Sequence, residues 1–500
     1  MVTKEHVLDV SDSRLIQKKL YQLNKVEQFE SFDKFITKKV WQEEQGRNIV
    51  YEDMLEEAWR SLREKAYLKF YRKVKAQGVA SRVTIKKWFG LDGYVKPKRK
   101  HIFKLAFVLH LDEKGLQEYL VKGILQPGIQ INDYREMIYL YGLGKGISYE
   151  DCIDMIKVFE VQMYRDTVFA QSTHTRRLWN MYRMNCNQPK EKFLGWMCKN
   201  AGFFKGYSKV ALKHFMDVKS EMMHYIRLDA RKRLFEYLDE AEFFSWAEEN
   251  GIASEEYGKN ISRYIQNINR RKEKGTLTER LKANILEQNQ IAYSSRDKTT
   301  DLLAELYSSA VISEWDSSQT KRIRYKDRKK FRLPDEIFFI TDKYMSQIVA
   351  VAQQKEKEIR LSQALGTLET ARGDCPQWIS DLLSEYGIGL PKNVEQAKTL
   401  LRKTLRMQEQ RCHLLQREDL LPLIHYVAQR RYEKMLQEQE AAYQCEDAKI
   451  FFIQMADGIL EECQMAPVSG KYQLDYLLLS CYGENDMYSL ADIIEEAEME

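Results

Sequence analysis

Residues 81–111 read SRVTIKKWFGLDGYVKPKRKHIFKLAFVLHL, and the spacing of their apolar side chains decides the fold. Ile85, Trp88 and Phe89 fall at i, i+3 and i+4, which is one face of a short helix. Ile102, Leu105, Ala106 and Leu109 repeat that spacing on a second helix. Asp92 and Gly93 form a turn between the two, and Pro97 restarts the chain. Lys86, Lys87, Lys96, Lys98, Arg99 and Lys100 occupy the positions that core packing leaves open. A small helical core with a cationic outer face is the physical outline of a DNA-reading helix-turn-helix.

Working outward, the rest of the chain repeats the helical period. Of 500 residues, only 8 are Pro and 23 Gly, too few for the many tight turns of a sandwich or barrel. Hydrophobic residues make up 44% and charged residues 31%, a globular balance with enough apolar material for real cores. The reading is an all-α chain of roughly two to four domains. No run of ~18 apolar residues offers a membrane span. The N-terminus lacks the apolar stretch of a secretory signal, so a cytoplasmic location is expected. The eight cysteines are scattered with no CxxC pair, as expected for reduced thiols and neither a disulfide framework nor a zinc site.

Charge is unevenly spread. Arg60 to Lys104 holds fifteen basic residues against Glu64 and Asp92, while Glu433 to Glu500 holds sixteen acidic residues against three lysines. A basic block interleaved with helical packing suits a nucleic-acid-binding module. The acidic end reads as a solvated surface, or as an electrostatic mimic that competes with DNA for the basic block. A second basic run, Lys321 to Arg332, reads as an exposed loop or a further phosphate-contacting patch.

Two apolar stripes, Met54–Leu62 and Tyr67–Val74, predict two helices ahead of Ser81. Asp112 predicts the N-cap of a helix after Leu109. Five short helices then fill 51–123. Their order resembles the lambda-repressor-type (XRE-like) helix-turn-helix. The matching positions are Ser81-Arg82, Ile85, Trp88, Gly93, Pro97, Arg99, Leu105, Ala106 and Leu109. The chain is most similar to the large degenerate form of that module in clostridial-type bacteria, through Asp133–Tyr141, Gly146–Glu150, Ile459–Cys463 and Leu474–Leu479. The chain departs from the pattern in two places: a second helix opening Ala66-Tyr67-Leu68, and a long turn from Gly90 to Pro97.

The resemblance implies transcriptional regulation through double-stranded DNA. In that docking Ser81, Arg82 and Thr84 lie nearest the base edges, with Arg82 suited to a guanine. Lys86, Lys87, Lys96, Lys98, Arg99 and Lys100 lie nearer phosphates and set register. Trp88 and Phe89 belong to the core.

The expected organisation is a helical arm at 1–50, the helix-turn-helix domain at 51–123, and a middle helical domain at 124–318. A basic linker at 319–334 and a C-terminal helical domain at 335–500 follow. Helices are expected at 209–226 and 231–250, the latter closed by Gly251. Ser384 to Lys403 resembles one Sel1-type repeat turn, too few for a solenoid. Gly123-Ile124-Leu125 through Tyr141-Gly142 echoes Gly458-Ile459-Leu460 through Tyr482-Gly483, as an internal duplication or by chance.

Chemistry is sparse. Gly142–Gly146 lacks the phosphate-loop spacing and reads as a helix–helix turn. Arg406 and His413 match a spacing of helical ribonucleases, which chance alone supplies about once in a chain of this composition. No acid, base and ligand set converges, so no enzyme, metal or cofactor is expected. The expectation is a bacterial DNA-binding regulator whose helical body forms a homodimer or takes a peptide, protein or small-molecule effector. The alternatives are a protein-interaction component of a regulatory or phage-defence assembly, and, last, a ribonuclease using His413.

Overall fold

The computed structural model describes residues 10–23, 25, 28–45, 56–162, 175–271, 279–294, 299–307, 323–324, 338–339, 342–411 and 414–498. The described chain is helical. It opens with α1 (Val10–Leu23), α2 (Phe32–Gln45), α3 (Glu56–Val74), α4 (Arg82–Trp88), α5 (Arg99–Val108) and α6 (Glu113–Glu118), which continues into a π-helical turn at Tyr119–Gly123. Then come α7 (Tyr134–Lys145), α8 (Tyr149–Gln162), α9 (Thr175–Asn185) and α10 (Lys190–Lys199). The centre holds α11 (Lys209–Glu240), α12 (Phe243–Glu249), α13 (Tyr257–Arg271), α14 (Glu279–Ala292) and α15 (Thr299–Tyr307). A two-residue antiparallel pair, β1 (Ile323–Arg324) with β2 (Phe338–Phe339), precedes α16 (Asp342–Val349), α17 (Val351–Leu368), α18 (Gln377–Glu385) and α19 (Val394–Arg411). The chain closes with α20 (Arg417–Gln439), α21 (Cys445–Glu462), α22 (Gln473–Ser480) and α23 (Leu490–Glu498).

Two expected breaks are absent. Ala58 to Leu62 of the first stripe and all of the second lie on one continuous helix, α3, so two expected helices are one over 56–74; Met54 and Leu55 lie outside the described residues. No Gly or Pro stands between Leu62 and Tyr67, and the linking residues are good helix formers. Helix α11 likewise runs unbroken through Leu228–Ala230 for 32 residues, about 48 Å. It turns only at Glu242, whose φ of 58° starts α12.

Packing gathers the helices into four cores. The first joins α2 through α10 and does not stop at residue 123: Phe32, Ile36 and Val40 of α2 share it with Trp88, Leu105, Met137 and Phe193. The second joins α1, the first half of α11, α15, α16 and α20 through α23. The second half of α11 packs with α12 to α14. Helices α17 to α19 form the fourth, with the Sel1-like turn as the α18–α19 connection. The basic run 321–332 lies outside the described residues apart from β1.

The sequence echo has a structural counterpart in a different register. At the start of α5, Arg99 grips Glu136 of α7 with two bonds of 2.7 Å and donates to the carbonyls of Pro127 (2.6 Å) and Gly128 (2.7 Å). At the start of α20, Arg417 grips Asp475 of α22 with two bonds of 2.7 Å and donates to the carbonyls of Ala466 (2.8 Å) and Pro467 (3.0 Å). Each carboxylate also accepts a backbone N–H six residues upstream, from Gln130 and Ser469 respectively. Leu125 and Gln464 are both left-handed, with φ of 53° and 57°. Ile124 therefore matches Cys463, so the two Gly-Ile-Leu triplets are not the equivalent residues.

The second copy differs in its helical hairpin. Helices α20 and α21 have 23 and 18 residues where α5 has 10. The added length packs along α11, tied by Arg430 to Asp229 (2.6 Å) and Arg431 to Glu221 (2.6 Å). The two copies touch directly, Gly128 N–H donating to the Gln464 carbonyl at 2.7 Å.

Candidate nucleic-acid interface

Helices α2, α3 and α4 pack as a three-helix unit, with α3, the turn at Gly78 and α4 in helix-turn-helix order. Gly78 takes φ 56°, a left-handed value that Gly adopts without a Cβ penalty, and ends the turn after α3. Ser81 then caps α4. Its Oγ accepts the Thr84 N–H at 3.1 Å and lies 2.8 Å from Thr84 Oγ1. Trp88 and Phe89 are fully buried. Trp88 meets Phe32 edge-on and Phe89 meets Tyr67 and Phe70, so both aromatics pack in the core, as their spacing implied.

The long turn folds back onto α4. Leu91 N–H donates to the Lys86 carbonyl and Val95 N–H to the Lys87 carbonyl, each at 3.2 Å. Gly90, at φ 66°, leaves no room for a side chain: a Cβ would stand 2.6 Å from Arg63 Nη1, beside the Arg63–Asp33 ion pair. Tyr94 accepts the Phe32 N–H through its hydroxyl at 3.2 Å. The extra turn residues therefore serve as a strap between α4 and α2.

This packing separates the roles of the expected residues. Arg82 is exposed, lies over the Tyr71 ring, and donates from Nε to the Tyr67 hydroxyl at 3.4 Å, a contact that holds its guanidinium above the usual pKa. Ser81 and Thr84 spend their hydroxyls on the cap and on each other. Lys86 pairs with Asp92 at 3.0 Å, an exposed bridge of the kind worth about 0–1 kcal/mol and easily exchanged for another anion. Lys87 and Lys96 are half-buried; Lys98 and Lys100 are exposed at the start of α5. Lys98 is the N-cap residue there, its N–H donating to His101 Nδ1 at 3.3 Å.

Arg99 is placed differently. Four of its five N–H donors are taken by Glu136 and the two carbonyls, and only 18% of its side chain is exposed. It works as the clamp between α5 and α7 and has little left to offer a phosphate. Sequence spacing could not separate it from its basic neighbours, because Glu136 lies 37 residues away. The tyrosine pair that supports Arg82 was also missed. Tyr67 and Tyr71 stack at 5.7 Å, and their i, i+4 spacing is the signal that could have found them.

Gly142 and Gly144 lie within α7, and Gly146 closes it at φ 65° as a helix–helix turn. Arg406 is exposed on α19, and His413 lies outside the described residues. Among the described residues no three His, Cys, Asp or Glu gather in metal-binding geometry. None of their helices is long and apolar enough to cross a membrane. No family model, curated protein or solved structure matches this chain.

Proposed function

We propose that this chain is a DNA-binding transcriptional regulator, with α4 meeting the major groove and the helical body serving dimerisation or effector binding. The observation that carries the reading is the helix-turn-helix order of α3 and α4, with Arg82 exposed at the first turn of α4. Lys98 and Lys100 are also exposed, Lys86, Lys87 and Lys96 are half-buried, and Asp92 pairs with Lys86. Arg82, propped on two tyrosines at the first turn of α4, is the residue aimed at a base edge. The lysines neutralise phosphates and set register.

A mobility-shift titration of duplex DNA across salt tests this. Changing Lys86, Lys87, Lys98 and Lys100 to Glu is expected to abolish the shift, and log affinity of the unmodified chain is expected to fall by ~0.9 per phosphate contact with log salt. Absence of any shift at ~50 mM salt rejects DNA binding. Arg82→Ala is expected to relax preference at one base with the salt slope nearly unchanged. Equal loss on all sequences moves Arg82 to the phosphate group.

A second reading, a protein-interaction module, draws on exposed apolar side chains of α4 and of the turn that follows it. Val83, Tyr94 and Val95 are 58%, 47% and 44% exposed. Under that reading Val83→Glu disrupts a complex isolated with the intact chain, and the lysine changes leave it in place.

A further inference from the structure

The first turn of α4 carries two side chains that neither the helix nor the core uses. The free N–H groups at a helix start favour Asp or Glu there, and this turn has none. It presents Arg82 and Val83 instead, a cation at the unfavourable end of the dipole and a β-branched residue 58% exposed to water. Their neighbours Ser81 and Thr84 are committed to the cap and to each other. Ile85 and Trp88 are committed to the core. Residues that break a local rule without serving the fold mark a site of function.

We infer that Val83 is a subsite for the 5-methyl group of a pyrimidine in the base pair beside the guanine that Arg82 takes, an inference that rests on the DNA reading above. Arg82 Nε is spent on the Tyr67 hydroxyl at 3.4 Å, and the guanidinium lies over the Tyr71 ring at 5.7 Å. Nη1 and Nη2 have no partner among the described residues, which leaves the outer fork of the guanidinium for the O6 and N7 acceptors of guanine. Val83 has no polar atom, so it contacts neither a phosphate nor a base-edge donor or acceptor. The apolar group that a base pair shows in the major groove is a pyrimidine 5-methyl. Consecutive residues on the turn that enters the groove first meet neighbouring base pairs. Thymine supplies that methyl, and so does 5-methylcytosine.

The test offers the full chain random-sequence duplexes and remakes the best-retained one with single changes beside the guanine whose preference Arg82→Ala relaxes. A thymine is expected in one flanking pair. Uracil in its place removes the methyl alone and is expected to weaken binding about fourfold. Cytosine there is expected to bind weakly, and 5-methylcytosine to regain about fourfold over it. A gain from thymine only assigns the subsite to a T·A pair; a gain from both assigns it to the methyl on either base. Val83→Ala, at an exposed helical position, is expected to leave the far-UV dichroism and the guanine preference unchanged and to bind the thymine and uracil duplexes alike. The inference is overturned if no thymine flanks the guanine, if uracil binds as well as thymine, or if Val83→Ala keeps the difference between them. Retention without a methyl effect removes this inference alone, whereas no retention at ~50 mM salt removes the DNA reading with it.

Discussion

Replacing Asp475 by Ala is expected to be among the most damaging single changes in the second core. Arg417 and Asp475 are 4% and 0% exposed. The carboxylate accepts both guanidinium bonds and the Ser469 N–H at 2.6 Å. Its removal leaves a buried cation with only the Ala466 and Pro467 carbonyls, and an N–H with no acceptor. Breaking one half of such a pair costs about 3–5 kcal/mol. Replacing both residues by apolar ones of similar volume, Arg417→Met with Asp475→Leu, is expected to recover most of that loss, because desolvation of the pair offsets much of its attraction. Urea unfolding followed by circular dichroism measures both. In the first copy, Arg99 and Glu136 are 18% and 12% exposed, so Glu136→Ala is expected to cost less, about 1–3 kcal/mol. The reasoning fails if Asp475→Ala costs under about 1 kcal/mol, or if the double replacement is no more stable than the single one.

The remaining expectations concern Arg99 and pH. Arg99→Gln is expected to lower stability by about 1–3 kcal/mol, whereas Lys100→Gln changes DNA affinity and leaves the unfolding midpoint in place; the reverse pattern refutes the clamp role. His425 is buried between Phe452 and Tyr482, which pushes its imidazole down from 6.5 to about 3. The unfolded chain therefore takes up a proton below pH ~6.5 that the folded chain refuses, and stability falls with acidification by up to about 1.4 kcal/mol per pH unit. His425→Leu is expected to flatten that slope between pH 6.5 and 3, and an unchanged slope refutes the assignment.

Much of the helical content was legible because it rests on local physics. The i, i+3, i+4 spacing of Ile85, Trp88 and Phe89 requires a buried face whatever packs on it, and all three are buried. Asp112 caps its helix through the oxygen that the sequence pattern marks, Oδ1 accepting the Gly115 N–H at 2.7 Å, whereas Ser81, expected at the base edges, proves to cap α4. Helix length was less legible. The polar residues between Leu62 and Tyr67 interrupt an apolar stripe without breaking a helix, so one helix read as two. The candidate interface was partly legible for the same reason: exposed lysines follow from the periodicity, but their partners do not.

By itself, then, the sequence determined the helical class, the cap at Asp112, and which faces of α4 and α5 are buried, all set by neighbours within a few residues. Tertiary structure alone decided three things. It recruited α2 into the core beneath α4, took Arg99 out of the cationic face and into a clamp, and revealed the second clamp at Arg417 and Asp475. The physical reason is common to all three. A guanidinium answers whichever carboxylate the fold brings to it, and that carboxylate lies 37 residues from Arg99 and 58 from Arg417, beyond any local period.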